Sequence, residues 1–202
     1  MRIAVFAHAG VTEFETRYSI PHIREFVELL SQNHEVTVYC ANHYETESKE
    51  YRIGSAVVKY IFADPSRPHL PAPHVRIMHA EFTKDCRDRA FDIAHGIGAL
   101  AGGVASCFAA RLNRIPSVVT LIGGELASLP ELDYGNMRRQ PQRALTRFVC
   151  GQADSLVLLT EYQRKLLESQ RIRTKRIEVI PFGVDEHRFQ PSGEKRLEPP
   201  FN

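Results

Sequence analysis

Short apolar runs alternate with longer amphipathic stretches along this chain. Residues 3–6 (Ile3, Ala4, Val5, Phe6) form a continuous apolar run, the mark of a strand buried on both faces. Comparable runs at 35–40, 56–62, 93–95, 117–121, 155–159 and 177–180 predict six more strands. Between the first two, Ile20, Ile23, Val27 and Leu30 recur at helical spacing, with Arg24, Glu25 and Glu28 on the opposite face. Ser19 is placed to cap that helix and Pro21 to sit in its first turn. A charged helix is predicted over 75–90. Another is predicted after residue 100, with Val104, Cys107, Phe108 and Leu112 on one face. Pro141 can open a further helix that turns Ala144, Leu145, Phe148 and Val149 inward. Thr160 and Gln163 match a capping box ahead of a helix burying Leu166 and Leu167. Residues 7–18 and 41–54 read as polar loops, and 64–73, with four prolines, as an irregular connection. Seven strands in alternation with helices predict an α/β fold, a doubly wound, mainly parallel, Rossmann-like sheet.

Composition narrows the class. With 202 residues the chain has enough length for one sizeable α/β domain. A formal net charge of +2 gives no argument for nucleic acid. Cys40, Cys86, Cys107 and Cys150 are widely spaced, form no C-x-x-C pair and read as free thiols of a reducing cytoplasm. No apolar run approaches the roughly 20 residues that a membrane-spanning helix needs. The expectation is a soluble cytoplasmic protein, with contact at the inner face of a membrane left open.

The chemistry gathers in one strand–helix–strand unit. Polar and glycine residues cluster where its two strands stop, the edge at which parallel sheets bind ligands. His95 closes the first of these strands, and Gly123, Gly124 and Glu125 follow the second. Glu125 could accept hydrogen bonds from a ligand's hydroxyls or cap the following helix. Gly96, Gly98 and Ala101 fit G-x-G-x-x-A, a nicotinamide-dinucleotide fingerprint. That pattern belongs on a first strand, however, and here it follows the fourth. Small residues that let a helix approach the sheet are the favoured explanation. His8 ends the first strand in the same region, and Glu13 is read as an ordinary loop carboxylate. His69, His74 and His79 are five apart and share no helix face, so no metal site is expected. H-E-x-x-H, G-x-S-x-G and P-loop motifs do not occur. Arg138, Arg139, Arg143 and Arg147 form a basic stretch, read as a solvated face or a contact for anionic lipid.

Taken in order, these motifs resemble family 4 glycosyltransferases, the retaining, nucleotide-sugar-dependent enzymes of the GT-B fold. Residues 34–38 are similar to the family's second strand, and 91–95 to its D-x-x-H strand. Residues 110–112 with 115–121, and Ala153 and Asp154 with the strand after them, continue the likeness. The most specific piece is 177–185 with Phe189 and Pro191, which resembles i-x-v-i-P-x-G-V-D-x-x-x-F-x-P. The resemblance implies that residues 1–190 are the N-terminal, acceptor-side domain. Residues 191–202 would begin the linker to a C-terminal, donor-binding domain that carries a glutamate pair spaced E-x7-E. It implies a UDP- or GDP-sugar as co-substrate, no further cofactor or metal, and no nucleic acid. The acceptor would be a sugar, a lipid-linked molecule or another small molecule. His95, Gly123, Gly124 and Glu125 would bind it, and Gly10 would approach the donor phosphates; no catalytic residue is assigned. The chain departs from the family twice. Ser19 and Ile20 stand where a glycine pair is usual before the first helix, and Ile122 stands where a histidine is usual. A non-catalytic glycan- or partner-binding relic of a transferase is therefore a second alternative, beside a dehydrogenase domain.

Overall fold

The structure, a computed structural model, describes residues 1–13, 19–42, 47–63, 71–184 and 186. The linker expected at 191–202, the resemblance at Asp185, Phe189 and Pro191, and His69 lie outside the described residues. The sheet has eight strands: β1 (Arg2–Ala7), β2 (Glu35–Asn42), β3 (Lys49–Ile53), β4 (Ala56–Phe62), β5 (Ile93–Ile97), β6 (Ser117–Leu121), β7 (Ser155–Leu158) and β8 (Ile177–Val179). Their order is β3-β4-β2-β1-β5-β6-β7-β8, and every pair is parallel except β3 with β4. The strand beyond the seven expected is β3, in a stretch read as loop. It forms a hairpin through Gly54 (φ 56°) and Ser55, with Tyr51 and Ile53 buried.

Five helices cover the sheet: α1 (Pro21–Ser31), α2 (Pro71–Asp88), α3 (Ala101–Asn113), α4 (Gln140–Gln152) and α5 (Glu161–Ser169). Right-handed crossovers put a leftward step and a rightward step on opposite faces. Accordingly α1 buries Ile23 and Val27 against Val5, Val36, Val38 and Val58. The other face of β1 and β2, with Phe6 and Tyr39, meets Met78 and Phe82 of α2 and Ala105 and Ala109 of α3. Val119, Leu121, Leu156 and Leu158 pack on that same side against Val149 and Cys150 of α4 and Leu167 of α5. All four cysteines are free, and burial pushes the Cys107 and Cys150 thiols up to about 11 and about 12.

Several local expectations are revised. The N-cap of α1 is Ile20, while the Ser19 hydroxyl bonds that of Thr12. Helix α2 starts at Pro71, before residue 75, because prolines are tolerated in a first turn, whose N–H groups need no helical partner. In α3, Val104 and Cys107 are buried, but Phe108 and Leu112 point outward. The rest of the buried face of that helix is alanine, glycine and serine, which brings its axis close to the sheet. In α4, Val149 is buried as expected, Ala144 is exposed, and Phe148 lies 6.0 Å from Phe108 on the outside.

Candidate functional site

The chain leaves β1 toward β2 on one side and returns to β5 on the other, so the carboxyl ends of β1 and β5 form a topological switch point. Open α/β sheets bind ligands there. A cavity of about 580 Å³ occupies this place. Its walls are His8 and Ala9 after β1, Ile20 before α1, residues 97–102 around the β5–α3 turn, and residues 122–125 after β6. His74 of α2, residues 133–136 and Gln142 of α4 close it.

The loop after β6 is held from three sides. Glu125 is buried, and its carboxylate accepts the Ile122 N–H at 2.9 Å and the Gly123 N–H at 2.7 Å. The Gly123 carbonyl in turn accepts the Gln163 side-chain amide at 3.3 Å. The capping box is thus half as expected. Thr160 Oγ1 accepts the Gln163 N–H at 3.2 Å, but Gln163 Oε1 takes the N–H of Leu159 at 2.6 Å. Gly124 lies beneath Tyr134: a methyl group there would come within 2.5 Å of the ring. Glu125 does not cap the helical turn at Gly124–Leu126; it braces this loop, with both of its oxygens engaged by the backbone.

His95 is placed elsewhere. Side chains alternate along a strand, and His95 projects to the α1 side of the sheet, two residues before β5 ends. Its Nε2 is 2.8 Å from Thr120 Oγ1, and its ring stands edge-on to Phe26 at 5.2 Å. Burial pushes its pKa down to about 4, so the ring is neutral near pH 7. Together with Thr120, Val157 and Phe182 it lines a second groove, of about 730 Å³, beside α1. Gly123, Gly124 and Glu125 therefore share one cavity, and His95 lies outside it. Gly10, with φ of +90°, sits behind Ile20, whose N–H donates to its carbonyl at 3.1 Å and whose side chain fills the space next to its Cα.

Sequence reading missed His74, which is buried in α2 and meets the His8 ring at 4.6 Å edge-on; His8 Nδ1 faces the Ala41 carbonyl at 3.0 Å. The one available signal was His8 itself, already placed at the sheet edge. Tyr134, Asn136 and Gln142 reach the cavity from irregular segments that carry no periodic signal. Gly96 answers to helix packing: a methyl group there would stand 2.7 Å from Gly103 Cα. Glu13 pairs with Lys49 at 2.9 Å. The four arginines are engaged internally: Arg138 and Arg139 with Asp133, Arg143 with the Met137 carbonyl, and Arg147 with that of Gln170. Among the described residues no group of three or more His, Cys, Asp and Glu is placed to hold a metal ion. Nor is any helix among them long and apolar enough to cross a membrane.

Comparison with known proteins places this geometry. Residues 21–188 match Glycosyltransferase Family 4. No curated protein matches the chain in sequence. Among solved structures, sucrose-phosphate synthase from Thermosynechococcus elongatus superposes with a TM-score of 0.74 at 10% identity, over 95% of this chain and 51% of that one. An E. coli structure described as trehalose-6-phosphate bound with UDP-2-fluoro glucose gives 0.56 at 12% identity, over 93% and 50%. UDP-GlcNAc 2-epimerase from Neisseria meningitidis, bound to UDP-GlcNAc, gives 0.52 at 15% identity, over 89% and 45%. At such identities the likeness is one of fold, the Rossmann-like domain of GT-B proteins. The chain spans about half the length of these solved proteins.

Proposed function

The chain belongs to Glycosyltransferase Family 4, and on that premise we propose that it forms the acceptor-binding half of a retaining transferase. The reaction moves a sugar from a UDP- or GDP-sugar to an acceptor hydroxyl. One observation carries this reading: the cavity at the carboxyl ends of β1, β5 and β6, with its braced 122–125 loop. A hydroxyl held there is fixed in position against a sugar presented from across the cleft. Positioning of this kind supplies a large part of a transferase's rate, and the rest comes from stabilising charge on the departing diphosphate. In this reading a C-terminal domain is the partner that holds most of the donor. The work of the 202 residues is to present the acceptor, with no resident cofactor or metal.

The nicotinamide alternative is not favoured, because residues 21–188 match a glycosyltransferase family and the G-x-G-x-x-A loop follows β5 and not β1. Calorimetry with NAD(H) tests what remains of it, and no saturable heat is expected. For the transferase reading, the 202 residues are incubated with UDP- and GDP-sugars and a panel of hydroxyl acceptors, and products are separated by chromatography. Little or no transfer is expected from this half alone. Robust turnover by the 202 residues would overturn the division of labour. Product from a chain that also carries the donor-binding domain should keep the donor's anomeric configuration, read by proton NMR. Inversion would overturn the retaining assignment.

A further inference from the structure

The walls of the switch-point cavity differ in kind. Ile20, Ile97 and Ile122 line it together with Ala9, Ala99 and Leu100. Ile20 and Ile122 are only partly buried, and both pack on the cluster of apolar residues beneath α1. The polar groups in the remaining wall are neutral hydrogen-bonding side chains: Tyr134, Asn136 and Gln142, beside the His8 and His74 pair. Two carboxylates reach the cavity. Glu125 has both oxygens on backbone amides, and Asp133 is ion-paired with Arg138 and Arg139. No lysine or arginine lines the cavity among the described residues.

From this we infer that the cavity selects an uncharged acceptor with one apolar face, and rejects a phosphorylated sugar. The inference rests on the reading that this cavity holds the acceptor. A phosphate group carries up to two negative charges, and burying them where no lysine or arginine lines the wall is costly. Here they would also meet two carboxylates. A neutral glycoside or polyol instead offers hydroxyls to Asn136, Gln142 and Tyr134 and lays its apolar face on Ile20 and Ile122. The two departures from the family pattern thus act together, since Ile20 and Ile122 supply the same apolar wall.

The test uses the 202-residue chain with labelled isoleucine methyls, titrated by NMR with n-octyl β-D-glucoside below its micelle concentration, with glucose, and with glucose 6-phosphate. Octyl glucoside is expected to shift the Ile20, Ile97 and Ile122 methyls. Glucose 6-phosphate should bind at least about tenfold more weakly, a difference of about 1.4 kcal/mol. Ile122→Lys, and separately Ile20→Lys, should narrow or reverse that preference, each variant being checked for a native methyl spectrum. Tighter binding of glucose 6-phosphate in the cavity would overturn the uncharged-acceptor inference and leave the acceptor assignment standing. No cavity shift from any of the three sugars would overturn both.

Discussion

Glu125 shows how one side chain sets the shape of the candidate site. It is 7% exposed, and its two oxygens satisfy consecutive backbone amides that face no other acceptor. Hydrogen bonds to a charged group contribute about 1.5–3 kcal/mol each, and an orphaned buried donor costs about as much. Glu125→Ala should therefore lower stability by about 2–3 kcal/mol in urea denaturation and weaken cavity binding in the same titration. Glu125→Gln, keeping one acceptor oxygen, should lose less. His95 makes a second prediction. Its pKa falls from the ordinary value near 6.5 to about 4 because burial disfavours the charged ring. The unfolded chain then binds a proton that the folded chain refuses between those values. The stability tied to His95 is complete above about pH 6.5 and is lost as pH falls toward 4, a change of roughly 3 kcal/mol. His95→Gln, which can keep the contact to Thr120, should flatten the stability–pH curve in that window. An unchanged slope would mean that the ring is not excluded from water. Of these two residues, Glu125 was legible as an edge residue because two glycines precede it at the end of a strand. The direction of His95 was not. Strand alternation shows which residues share a face, but not which face turns toward the cavity.

At the scale of elements, helix α3 is the clearest case of a sequence signal pointing the wrong way. Its largest apolar residues, Phe108 and Leu112, face outward, and its buried side is made of residues small enough to let the backbone approach β1 and β5. Periodicity weighted by size therefore placed Val104 and Cys107 correctly and Phe108 and Leu112 on the wrong side. The helix ends at Arg114 in the left-handed region, φ 56° and ψ 39°, a conformation that favours glycine. Arg114→Gly is expected to raise stability by about 0.5–1 kcal/mol, read as a higher urea midpoint at unchanged slope. Strand β3 was missed for a different reason. Lys49, Glu50 and Arg52 give it a loop's composition, while Tyr51 and Ile53 alone carry the alternation. The two-residue Gly54-Ser55 turn before a strong apolar run was the signal available. The continuous runs of the parallel strands were legible because burial on both faces leaves no room for ambiguity.

For the whole molecule, the charges on β3 have a purpose that the strand pattern hides. It is one of the two edge strands, and Glu50 and Arg52 stand exposed on it. Charged residues on an edge discourage pairing with another chain. Replacing Glu50 and Arg52 together by valine should produce concentration-dependent association in sedimentation velocity. A variant that stays monomeric would show that the hairpin is protected by its twist instead. Half of the candidate site was legible at this scale, because it lies where an α/β topology must place it. The other half was not, since His74, Tyr134 and Asn136 arrive from distant, irregular or misplaced segments. The same strand order also bears on how the protein is made. Strand β1 finds β2 within some thirty residues of chain, but its other neighbour is β5, Ile93–Ile97. At a synthesis rate of roughly 5–20 residues per second, one side of the central strand waits about 5–20 s for its partner. During that interval the nascent chain carries an apolar edge in the middle of what will become its core, and a chaperone has that long to cover it.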